Sequence, residues 1–180
     1  MLDVGCAQGH AVNLPARAFP RSRFTAYDVS TGGIAAAHAE AQAPDNTDVR
    51  FAVRDVAALN ELGLYDLITA FDAIHDQAKP AAVLRGAAEA LAADGTFLTQ
   101  DIGASNHPQD NIAHPFAPFL YGLSTMHRMT VLLALDGAGL ATVWGEQQAQ
   151  AMLDEAGFTR VDVHRLEEDS LNNYYISRKG

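Results

Sequence analysis

Met1-Leu2-Asp3-Val4-Gly5-Cys6-Ala7-Gln8-Gly9 opens the chain, and the reading of these nine residues decides the fold. A short apolar strand runs into a turn of small residues. His10, Ala11, Val12, Asn13 and Leu14 follow with the apolar spacing of a helix start. A strand, a Gly/Ala turn and a helix N-terminus make a site for a nucleotide-like ligand. The small residues let backbone approach the ligand, and the helix end offers unpaired N–H groups. Further on, Arg23-Phe24-Thr25-Ala26-Tyr27-Asp28 reads as a second strand ending in an acid. An acid there accepts hydrogen bonds from both ribose hydroxyls of an adenosine ligand. The competing reading makes Asp28 a loop acid or the cap of a helix starting near Ser30.

A dinucleotide fingerprint needs G-x-G-x-x-G, with a third glycine where helix and pyrophosphate meet. Here the small residues are Gly5, Ala7 and Gly9, and His10 follows. This loop resembles motif I of the class I S-adenosylmethionine-dependent methyltransferases, a strand ending in Leu-Asp-Val-Gly-Cys-Gly-x-Gly. Ala7 departs from it, standing where that family more often has glycine. The resemblance implies S-adenosylmethionine as cofactor, with Asp3, Gly5, Cys6, Ala7 and Gly9 beside its methionine portion. It puts Asp28, with Val29 next to it, on the ribose hydroxyls. Asp55 would take the adenine amino group, and the Val56 N–H would reach the ring. Phe71, Asp72 and the residues to Asp76 would line the methyl-transfer site. His75-Asp76-Gln77, Tyr121 to Thr130, Gly137 to Gly145 and Asn173 to Lys179 narrow the likeness. They resemble a bacterial subgroup carrying a winged-helix-like segment before its catalytic domain. The expectation is therefore one methyltransferase domain over residues 1–180, truncated at its N-terminus.

The remaining segments alternate. Helices are predicted at Gly9 to Ala18, Gly33 to Ala43 behind an N-cap at Ser30, and Lys79 to Leu91 with a stop at Asp94-Gly95. Strands are predicted at Arg23 to Tyr27, Val49 to Val53, Tyr65 to Phe71 and Thr96 to Ile102. Alternation of this kind gives a parallel sheet with helices on both faces. The end of the chain breaks it: a helix over Gly145 to Ala156 precedes strands at Thr159 to Leu166 and Asn172 to Arg178. No helix fits between those two strands, so they pair antiparallel through Glu167-Glu168-Asp169. The fold class is α/β, a Rossmann-like doubly wound sheet of seven strands, six parallel and one antiparallel. The resemblance implies the order 3-2-1-4-5-7-6. Residues 103–144 are too many for a simple connection and read as a helical insertion. Apolar residues at helical spacing fill Phe116 to Leu135, and Gly137-Ala138-Gly139 ends the run. The insertion reads as a lid and substrate wall, with a structural helical hairpin or an oligomer contact as the alternative.

At 180 residues, 48% apolar and 19% charged, the chain suits one soluble domain. A net charge of −10 excludes a broad basic footprint for nucleic acid and disfavours an anionic membrane surface. No stretch has the length and apolarity of a bilayer span or the pattern of a leader, so a cytoplasmic location is expected. The single cysteine, Cys6, excludes an internal disulfide.

Methyl transfer is an in-line attack on a sulfonium methyl, and a hydroxyl acceptor must lose a proton. His75, Asp76 and His127 are the candidate bases, each with an alternative as a packing or capping residue. His107 and His114 read as loop residues. Seven histidines raise the question of metal, yet neither H-x-x-x-H nor H-E-x-x-H occurs, so no metal site is predicted. The first functional expectation is a methyltransferase acting on a small-molecule substrate, with a homodimer possible. The second is the ligand-sensing half of a transcriptional regulator, its DNA-binding segment lying elsewhere.

Overall fold

The computed structural model describes residues 1–42, 48–128 and 143–180, without the side chains of His127 and Arg128. Strand β1 is Leu2–Val4, followed by helix α1, His10–Ala18. Then come β2, Phe24–Asp28, and α2, Thr31–Ala41. The Ser30 hydroxyl accepts the Gly33 N–H and starts α2 two residues before the predicted Gly33, as an N-cap should. β3 is Val49–Val53, and a single 3₁₀ turn, Val56–Ala58, leads to β4, Tyr65–Phe71.

Helix α3 is Pro80–Ala90, with its proline in the first turn, where a missing N–H costs nothing. It stops earlier than predicted. Leu91 pairs with Tyr65 of β4 and is fully buried, so β5 begins there and runs Leu91–Ile102. Asp94-Gly95 is thus carried inside the strand, beside a register shift at Tyr65/Leu67. Of the predicted helix Phe116 to Leu135, the described part is α4, Ala117–Leu123, and one wider turn, Ser124–Arg128. The rest of it and Gly137-Ala138-Gly139 lie outside the described residues. The chain ends with α5, Glu146–Glu155, β6, Arg160–Leu166, and β7, Asp169–Arg178.

The sheet order is β3-β2-β1-β4-β5-β7-β6. β1 to β5 pair in parallel, while β7 is antiparallel to both β5 and β6. One face buries Leu2, Ile68, Phe97 and Tyr175 against α3 and α5. The other buries Phe24 and Ala26 of β2 against Val12 of α1 and Ile34 of α2. Each large side chain so buried contributes about 1.5–3 kcal/mol. Tyr175 is core and Tyr174 half-buried, the alternation a strand imposes. Parallel pairing brings the carboxyl ends of five strands to one edge. The order reverses between β1 and β4, and a crevice opens at such a point.

Candidate active site

The loop after β1 turns three times through left-handed backbone: φ is 72° at Gly5, 47° at Ala7 and 80° at Gly9. Two N–H groups, of Gly5 and Cys6, donate to the Tyr27 carbonyl at 2.9 and 3.1 Å, tying the loop to β2. Gly9 is the N-cap of α1. A Cβ at Gly9 would lie 2.7 Å from Cβ of Ala37 and 2.8 Å from the Phe51 ring, so a side chain there would push α1 off its packing.

Asp28, the last residue of β2, completes the loop. Its Oδ2 accepts the Ala7 N–H at 2.9 Å and its Oδ1 accepts the Ser30 N–H at 2.8 Å. A carboxylate has about four lone-pair sites, so two remain for further donors. Val29 beside it is exposed. Asp55 caps the 3₁₀ turn through Oδ1, which accepts the Ala57 N–H at 2.9 Å. It is exposed, while the Val56 side chain is buried in the core. Asp3, 2% exposed, accepts the Thr69 hydroxyl at 2.6 Å. Burial pushes its carboxyl up to about 7, the Thr69 hydrogen bond opposing and Asp28 adding to the shift. Burial also pushes the Cys6 thiol up to about 12, with Asp3 and Asp28 adding. A thiol held there is no nucleophile at neutral pH.

On the other side of the crevice, Phe71 ends β4, and Asp72 sits at φ 52° with its N–H on the Gln100 carbonyl at 2.9 Å. His75 is 1% exposed. Its Nδ1 lies 2.7 Å from Oδ1 of Asp101, which also accepts the Ile102 N–H at 2.8 Å. Against an ionised carboxylate, which can only accept, Nδ1 would carry the proton and donate. Nε2 faces the exposed acids, 3.3 Å from Oδ1 of Asp76 and 3.8 Å from Oδ1 of Asp72.

Asp101 escaped the sequence reading, which treated it only as part of a strand. An acid near the carboxyl end of a strand flanked by two others was the available signal. One ligand atom each from Asp72, His75 and Asp101 lie within 4.8 Å of one another, a spacing at which a cation finds three donors. The sequence spacing predicted no metal site. His127 falls in the turn after α4, and its side chain lies outside the described residues. The fold therefore gathers Asp3, Gly5, Cys6, Ala7, Gly9, Asp28, Asp55, Phe71, Asp72, His75 and Asp76 at one sheet edge, from positions spread over more than seventy residues.

The insertion is anchored beside them. Asn111 is buried, donates to the Ser105 carbonyl at 2.7 Å and to the Tyr121 hydroxyl at 2.9 Å. Its Oδ1 accepts the Ser105 N–H at 2.9 Å. Ile102, Ala104, Leu120 and Val143 form a small core of their own beneath this loop.

A family model described as a methyltransferase domain matches residues 1–157. Among solved structures, a candidate O-methyltransferase from Nostoc punctiforme PCC 73102 aligns with TM-score 0.77 at 19% identity, covering 99% of this chain and 51% of that one. An O-methyltransferase family protein from Burkholderia thailandensis aligns at TM-score 0.75 and 14% identity, covering 99% and 50%. PigF, solved with SAH, aligns at 0.73 and 19%, again covering 99% and 50%. At these identities the likeness establishes the fold. The chain spans about half the length of these structures. No curated protein matches it.

Proposed function

This chain belongs to the methyltransferase-domain family, and from that premise we propose that it transfers a methyl group from S-adenosylmethionine to a small-molecule acceptor. One observation carries the reading. A left-handed Gly5–Gly9 loop is held by the Asp28 carboxylate at the carboxyl edge where the strand order reverses.

The residues fit the cofactor. Asp28 has lone pairs left for two ribose hydroxyls after accepting two N–H groups. Asp55 lies on the edge at β3 with one oxygen engaged in its cap, and its other oxygen suits the adenine amino group. The left-handed turns at Gly5 and Gly9 let loop backbone approach the methionine portion. When bound, S-adenosylmethionine supplies an electrophilic sulfonium methyl.

The chain's own work is to align the acceptor and take its proton. Asp101 orients the His75 ring through Nδ1, and Nε2 meets Asp76 at 3.3 Å. With His75 buried and Asp76 exposed, Asp76 faces the acceptor and His75 stands behind it as proton partner. Proton transfer by such a group contributes about 10²–10⁴-fold. We read the described part of the insertion, residues 103–128, as part of a lid and substrate wall for this edge. SAH bound to PigF, a protein of the same fold, supports the cofactor assignment.

Calorimetric titration of S-adenosylmethionine into the chain, with NAD as comparison, tests the reading. Saturable binding of the methyl donor, lost in Asp28→Ala while the variant keeps its thermal transition, is expected. Binding of NAD alone would overturn it.

A further inference from the structure

Gln77 follows His75 and Asp76 in the connection from β4 to α3, where its backbone N–H donates to the Ile74 carbonyl at 3.1 Å. Its side chain is half-buried and stands against the loop after β1. A Cβ placed on Gly5 would lie 3.8 Å from Nε2 of Gln77 and 2.7 Å from Cβ of Ala73. That nitrogen also donates to the Ala73 carbonyl at 3.0 Å. The amide is therefore pinned between the ends of β1 and β4, where the strand order reverses.

A primary amide has two N–H donors and an oxygen with two lone pairs. The bond to Ala73 uses one donor, and the side chain makes no other hydrogen bond among the described residues. One N–H and the oxygen remain beside the glycine turn that faces the methionine portion of the cofactor. That portion ends in a zwitterion, which needs a donor for its carboxylate and an acceptor for its ammonium. Charge on this wall is of one sign: Asp72 and Asp76 are exposed acids. They attract an ammonium and repel a carboxylate. A neutral N–H at Gly5 supplies what they cannot.

We propose that Gln77 binds the amino-acid end of the cofactor, its second N–H donating to the carboxylate; this rests on the S-adenosylmethionine reading. Gln77 then sets the preference for a ligand that carries the amino-acid end over one that lacks it. Calorimetric titration tests this by comparing S-adenosylhomocysteine with 5′-methylthioadenosine, which keeps the adenosine and the thioether but has no amino-acid end. The wild-type chain should bind S-adenosylhomocysteine the more tightly. Gln77→Met, which keeps length and packing, should weaken that binding about tenfold or more and leave 5′-methylthioadenosine unchanged. Gln77→Glu, close in shape but without a donor, should weaken it at least as far. It serves as the test should Gln77→Met shift the thermal transition.

Equal losses for both ligands would make Gln77 a support of the Gly5 turn alone and overturn the proposal. Unchanged affinity for S-adenosylhomocysteine in the variants would do the same. Equal binding of the two ligands by the wild-type chain would also overturn it, while leaving the cofactor reading in place. Binding of neither ligand by the folded wild-type chain would bring down both.

Discussion

Ala7 is the residue whose chemistry and backbone disagree. It holds φ 47°, where a Cβ costs about 1–2 kcal/mol, because Asp28 fixes its N–H at 2.9 Å. Ala7→Gly should therefore stabilise the chain by about 1 kcal/mol, raising the melting temperature by about 2–4 °C. A calorimetric melt that leaves the transition unmoved would mean the loop relaxes around alanine. The same substitution is expected to tighten S-adenosylmethionine binding, since backbone approach is what the loop offers. Asp101 makes a second prediction. Asp101→Asn keeps the volume but ends the acceptor-only contact to Nδ1 of His75. Once a methyl acceptor is known, kcat should fall by about 10²-fold with KM nearly unchanged, and the limb of the pH–rate profile that reports the base should move. A uniform loss of both with an unmoved profile would assign Asp101 to packing alone.

Among the elements, the described part of the insertion has a small core of its own. It meets the sheet at Ile102, packed with Ala104, Leu120 and Val143, and at the Gly103 N–H, which donates to the Leu171 carbonyl at 2.7 Å. The three hydrogen bonds of Asn111 hold the loop to itself. Asn111→Ala leaves the part-buried Ser105 N–H and carbonyl without their partner. At about 1 kcal/mol each, the cost is about 2–3 kcal/mol, and the opening is local. Hydrogen exchange should rise at Ser105 and across α4 while β1 and β4 keep their protection. Global loss of protection would show that the insertion and the sheet fold as one unit. A Cβ at Gly145, which has φ 71°, would fall on the backbone of Asn106, so the start of α5 is fixed against the same loop.

For the molecule as a whole, Asp3 couples folding to pH. Its carboxyl sits at about 7 in the folded chain, raised chiefly by burial, against about 3.9 in an unfolded one. Between these values the native state binds the extra proton, so stability falls as pH rises from about 4 to about 7 and levels off above. Glu61 and Asp169 act the other way. Burial opposes it, yet hydrogen bonds from Tyr65, Arg54 and Tyr27 hold Glu61 below its ordinary value. Asn172 and Tyr174 hold Asp169 low. Both are fully ionised above about pH 5 and lose their contribution only in acid. Denaturation at pH 5 and pH 7.5 should show a downward slope of the order of 3 kcal/mol that Asp3→Asn flattens. The slope is the readout, because the buried amide costs stability of its own. An unchanged slope would show that Asp3 does not carry it.

Local sequence by itself determined the alternation of strand and helix, the terminal antiparallel pair and the loop at Gly5 to Gly9. These depend on short-range patterns: apolar runs, small residues in turns, a cap at Ser30. The order of the strands came from resemblance, and the sheet has it. Tertiary structure alone decided what lies across strands. Leu91 reads as the end of a helix until Tyr65 claims it for a ladder. Asp101 reads as one acid in a strand until His75, twenty-six residues earlier, is folded against it. Gln77 comes against Gly5 only when β1 and β4 pair. Contacts between distant residues are set by how layers pack and in what register. A pattern read along one strand carries no record of its neighbour.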